Sequence, residues 1–125
     1  MVHNIIKFKG IKFYNTDFNE IFKKIKKGGY LVAPAASALC DIDKNRRYYQ
    51  SLLDADVAIL DSGFFCILLR IFKGKKVKKF SGYLFLKTLL NQKFANNIKF
   101  LNIDPNQEES KINHLYLKKK KFKKY

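Results

Sequence analysis

The segment DADVAILDSG, Asp54 to Gly63, passes through Val57, Ala58, Ile59 and Leu60 to the trio Asp61, Ser62 and Gly63. Four consecutive apolar residues without alternation describe a short strand covered on both faces, the kind found inside parallel sheets. The trio that stops it is turn-forming, and Phe64 to Phe72 beyond it is compact and apolar enough for a helix. That order puts Asp61 at the carboxyl end of a strand, where open α/β sheets hold their ligands.

The flanks repeat the alternation. Upstream, Tyr30 to Ala33 (YLVA) is a short apolar strand halted by Pro34. Ala35 to Cys40 is small enough to open a helix against a sheet, and Asn45 to Ala55 is helical, with Tyr48, Leu52 and Ala55 on one side. At the start, Asn4–Phe8 and Ile11–Tyr14 flank Lys9-Gly10 as a hairpin. Asp17, with Glu20 three residues on, caps a helix whose Phe18, Ile21, Phe22 and Ile25 fall at i, i+3, i+4 and i+7; Gly28-Gly29 ends it. Downstream come a basic loop with Gly74, a helix over Gly82–Asn91, a strand over Ile98–Ile103 (IKFLNI) and a helix over Pro105–Leu117. Asp104 is expected to cap this last helix and Pro105 to be its first residue. The whole reads as an α/β domain with a largely parallel sheet and flanking helices, preceded by a small N-terminal hairpin. Residues 1–117 are expected to form one domain and 118–125 a solvated lysine-rich tail, six of its eight residues being lysine.

Composition narrows the chemistry. With 125 residues, 47% hydrophobic, the chain can close one small core. Its longest apolar stretch, Phe64–Phe72, contains Arg70 and is far short of the ~20 residues that span a bilayer. No apolar block precedes a small-residue cleavage site near the N-terminus, so no signal peptide is expected and the cytoplasm is the expected location. Cys40 and Cys66 stand 26 positions apart without a CxxC or a histidine pair, which points to free thiols rather than a disulfide or a zinc site. The net charge of +16 invites a polyanion, such as nucleic acid or an anionic membrane surface. Only three of the 26 cations are arginine, however, and lysine makes no bidentate contact to guanine, so nucleic acid is not the expected partner. Asn, Ile, Phe and Tyr abound beside Lys, all residues of A/T-rich codons, so much of the charge follows coding composition.

Asp61 is the candidate catalytic group. A carboxylate at a strand end can act as general base, and Ser62-Gly63 can offer amides at a helix N-terminus to a phosphate; equally, Asp61 can cap the Phe64–Phe72 helix. The turn Ala33, Pro34, Ala35, Ala36, Ser37 ends the neighbouring strand at the same edge. Its small residues either let a ring or sugar approach the backbone or simply pack tightly, and Ser37 can bind a ligand or cap a helix. His3 and His114 are isolated, and no phosphate-loop, dinucleotide or serine-nucleophile motif is present.

YLVAPAASALC, NRRYYQSLLDADVAILDSGFF, KKFSGYLFLKTLL and FLNIDPNQEESKINHLYL together resemble the WecG/TagA/CpsF family of bacterial glycosyltransferases over roughly Tyr30 to Leu117. The resemblance implies a Rossmann-like enzyme of cell-surface polysaccharide synthesis. It would transfer a sugar, typically N-acetylmannosamine, with inversion from a UDP-sugar to a lipid-linked glycan at the inner membrane face, with no cofactor beyond the donor. It puts the base on Asp61 and donor contacts on Ala33, Pro34, Ala35, Ser37, Ser62, Gly63, Lys79, Ser81 and Gly82. The chain departs from the family pattern at Ala33 and Ala35, where threonine and asparagine are common, at Lys79, commonly arginine, and at Ser62, which splits an Asp-Gly pair. These departures imply an altered donor or acceptor, or weakened catalysis. Family members continue for about as much chain again, so the sequence is expected to be truncated, holding the N-terminal half of the fold. Two other readings stand beside the enzyme: a non-catalytic remnant or subunit completed by a partner chain or a second copy, and a basic module for nucleic acid or a membrane surface.

Overall fold

The computed structural model describes residues 4–74, 76–92 and 101–119. The hairpin forms as expected: β1 (Ile5–Phe8) and β2 (Ile11–Tyr14) pair antiparallel, with Phe8 opposite Ile11. Lys9 and Gly10 turn it with φ of 46° and 78°, the doubly positive geometry that matches strand twist. α1 (Phe18–Ile25) follows, capped by Asp17, whose carboxylate accepts from the Glu20 N–H at 3.1 Å. Next come β3 (Leu31–Val32), α2 (Ala36–Cys40), a 3-10 turn (Ile42–Lys44), α3 (Arg46–Leu53), β4 (Val57–Ile59), α4 (Gly63–Lys73) and α5 (Gly82–Leu90).

The sheet is four-stranded in the order β1-β2-β4-β3, with β4 parallel to both β2 and β3. The fold is therefore α/β with a mostly parallel sheet and flanking helices. β4 lies inside the sheet with Val57, Ala58 and Ile59 all buried, as its unbroken apolar run requires. Ile6, Ile11, Phe13, Leu39, Ile42, Leu52, Leu60, Phe65 and Leu69 close the core around it.

At the amino ends of β3 and β4, one clamp joins the two strands. The Asp56 carboxylate accepts from the Tyr30 N–H at 2.9 Å and lies so close to Gly29 that a β-carbon there would collide with it. Gly29 also has φ of 107°, which side chains rarely adopt.

The chain divides into two compact units, Met1–Phe85 and Leu86–Tyr125. The second holds the end of α5 and α6 (Gln107–Lys119). Two expectations are corrected here. Leu101, Asn102 and Ile103 form no strand, while residues 98–100 of the expected IKFLNI strand lie outside the described residues. α6 begins at Gln107 rather than Pro105, because Asn106 supplies the cap: its side chain accepts from the Glu109 N–H at 2.9 Å. Asp104 instead accepts from the side-chain amides of Asn102 and Asn113, each at 2.8 Å. Lys118 and Lys119 close α6, and the rest of the lysine tail lies outside the described residues. No helix among the described residues is long and apolar enough to cross a membrane.

Candidate functional site

β2, β3 and β4 run parallel, so their carboxyl ends, Asn15, Ala33 and Leu60-Asp61, reach one edge of the sheet. Two residues at the end of β4 divide the work. Ser62 takes the helix cap, its hydroxyl accepting from the Phe65 N–H at 3.2 Å. Asp61 is thereby released from capping; its half-buried carboxylate has no hydrogen bond or ion pair among the described residues. An ionisable group held at a strand end without a protein partner is available to a ligand.

The chain after α4 returns to this edge. The Phe80 N–H donates to the Leu60 carbonyl at 2.9 Å, and the Arg70 guanidinium donates twice to the Val77 carbonyl, at 3.1 and 2.7 Å. The Asn15 side chain donates to the Lys76 carbonyl at 3.0 Å and accepts from the Lys78 N–H at 2.9 Å. These bonds fix the basic loop, so that a β-carbon on Gly63 would lie 3.8 Å from Cδ of Lys79. An ammonium near the first turn of α4 adds to the positive end of that helix, the pairing that suits a diphosphate. Asn15 and Arg70 are positioning residues that sequence reading missed: Asn15 binds backbone more than sixty residues away and Arg70 binds the Val77 carbonyl seven residues on, contacts with no periodic signature.

α5 supplies the last wall. Ser81 caps it weakly, its hydroxyl accepting from the Leu84 N–H at 3.4 Å, and Phe85 packs on Phe18 with ring centres 5.1 Å apart. A β-carbon on Gly82 would come within 3.3 Å of both the Ala33 β-carbon and Oδ2 of Asp61. The structure thus gathers Ala33, Asp61, Gly63, Lys79 and Gly82. Ser62 and Ser81 lend their hydroxyls to helix caps, and Pro34 is buried. Ala35 and Ser37 are exposed at the start of α2, where Ala35 occupies the cap position without a side-chain bond; Ser37 does not cap.

Cys66, one turn into α4, is buried, and its thiol lies 3.8 Å from the Leu60 carbonyl. Burial pushes the thiol up from its ordinary value, while the charges of Arg70 and Lys79 pull the other way. Cys40 is a free thiol as well. No cluster of three or more metal-ligating side chains occurs among the described residues.

A model of the glycosyl transferase WecG/TagA/CpsF family matches residues 6–109 of the 125. The match starts in β1, well before Tyr30, and takes in all five gathered residues. No curated protein and no solved structure matches.

Proposed function

The chain belongs to the glycosyl transferase WecG/TagA/CpsF family, and from that premise we propose that it binds a UDP-sugar at the carboxyl end of β4 and serves inverting sugar transfer there. The family carries glycosyl transfer as its general activity; an N-acetylmannosamine-like donor and a lipid-linked glycan acceptor are our specific reading. The observation that carries it is the division of labour at the end of β4, where Ser62 caps the helix and the Asp61 carboxylate is left unengaged.

In this reading the acceptor hydroxyl attacks the anomeric carbon from the face opposite the diphosphate. Asp61 takes the hydroxyl proton as the new C–O bond forms. The bond to UDP breaks with its electron pair on the leaving oxygen, whose charge meets Lys79 and the amides opening α4. Ala33 and Gly82 keep the space beside Asp61 open.

Two measurements test this. Calorimetric titration of the chain with UDP and UDP-N-acetylmannosamine, at low and moderate salt, should show saturable binding that survives salt and favours the nucleotide sugar. A folded chain that binds neither removes the donor site from this chain. Asp61→Asn should leave donor binding intact and lower turnover with a lipid-linked acceptor by about 10²–10⁴-fold; full turnover would take the base role from Asp61.

A second reading is a subunit completed by a partner chain; the observation behind it is the side of β3 at the sheet edge, since β3 pairs among the described residues with β4 alone.

A further inference from the structure

α4 is apolar on two sides. Phe65, Cys66 and Leu69 face the core, while Phe64, Ile67, Leu68, Ile71 and Phe72 fall at i, i+3, i+4, i+7 and i+8 along a second stripe. That stripe is open to solvent: Phe64 is 64% exposed, Ile67 54%, Ile71 69% and Phe72 80%. A helix apolar all round belongs in a core or a lipid phase, and a second apolar face left in water calls for an occupant. Beside it a groove of about 290 Å³ runs between α2 and α4, walled by Phe8, Leu39, Phe64, Leu68 and Phe72 and ending at Lys73.

The charge around the stripe identifies the occupant. Lys73 also borders a second concavity with Lys7 and Lys12, and Arg70, Lys76 and Lys78 border a third. In the sequence, residues 62–80 contain six cations and no Asp or Glu. Large apolar side chains projecting from a rim of lysines match an anionic bilayer surface, where rings and aliphatic chains enter the headgroup–acyl boundary and ammonium groups meet lipid phosphates. A second copy of the chain would bring like-charged rims together, and a nucleic acid offers nothing to a stripe of Phe and Ile.

We infer that the outer face of α4, with Lys73 and the basic loop after it, is a docking surface for an anionic lipid bilayer. This inference rests on the surface alone and stands or falls without the donor site. The chain contains no tryptophan, so Phe72→Trp installs a single reporter on the stripe.

The experiment sediments the full chain with vesicles of phosphatidylcholine alone and of phosphatidylcholine and phosphatidylglycerol in equal parts, without nucleotide sugar. The chain should bind the anionic vesicles roughly tenfold or more tightly than the neutral ones, with the Phe72→Trp emission shifting to the blue. The double variant Ile71→Glu, Phe72→Glu, checked for native circular dichroism, should lose at least about tenfold of that binding; both side chains are largely exposed, so the core does not depend on them. Four outcomes overturn the inference: no binding to anionic vesicles, equal binding to both vesicle types, binding unchanged in the folded double variant, or a reporter already blue-shifted in a lipid-free dimer. UDP-sugar titration of the double variant reads the donor site separately, so failure of one reading is visible apart from failure of the other.

Discussion

Gly82 and Ala33 shape the space in front of Asp61 by having almost no side chain. Gly82→Ala puts a methyl within 3.3 Å of Asp61 Oδ2, and alanine suits a helix better than glycine. The melting temperature should therefore hold or rise slightly, while donor affinity, read by calorimetry, falls about tenfold or more; unchanged affinity would place the sugar elsewhere. Cys66 gives a test of burial. Its raised thiol should alkylate far more slowly than exposed Cys40 in a timed reaction. Below the unfolded thiol's ordinary value both states hold the proton, so Cys66 adds no pH dependence there. Above that value the unfolded chain ionises first, and stability falls as pH rises. Urea midpoints taken from about pH 8 to about pH 10 should drop more for the wild type than for Cys66→Ala. Asp61 was legible in the sequence as a strand-end carboxylate, but its freedom was not. Asp61 and Ser62 both make good caps, and only geometry decides which one turns to the Phe65 N–H.

Elements were legible where apolar period and punctuation agreed. Asp17 with Glu20, Gly28-Gly29 and the unbroken VAIL run each left one reading, and α1, its end and β4 followed. α6 was misplaced at its start because Asp104 and Pro105 were read as its cap and first residue, whereas Asn106 caps it and the amides of Asn102 and Asn113 hold Asp104. The place of the basic loop carried no signal: it depends on Asn15, more than sixty residues from the backbone it holds, and on Arg70, which folds back on the Val77 carbonyl. At this scale the α4 cap is the feature to test. Ser62→Ala should cost about 1 kcal/mol in urea unfolding. A loss under about 0.3 kcal/mol would mean that Asp61 swings over to cap the helix, tying up the carboxylate that the proposed chemistry needs.

Across the whole molecule, a charge of +16 on 125 residues works against compactness. The described structure offsets little of it, with ion pairs at Lys9–Asp43, Lys23–Glu20 and Lys44–Asp41. Screening should therefore raise the melting temperature by several degrees between about 0.02 M and about 0.5 M sodium chloride. A melting temperature flat in salt would show that the lysines stand too far apart to repel. The two ends of the β3–β4 pair, finally, are built to opposite tolerances. At the amino end Gly29 and the Asp56 carboxylate interlock so closely that no side chain can enter. At the carboxyl end a β-carbon on Gly82 would meet Ala33 and Asp61 at 3.3 Å, a tight contact that a shift of a few tenths of an ångström relieves. Substitution one methyl at a time can therefore reshape the mouth of the proposed donor site while the Gly29–Asp56 contact stays locked, so the fit of that mouth can change without a change of fold.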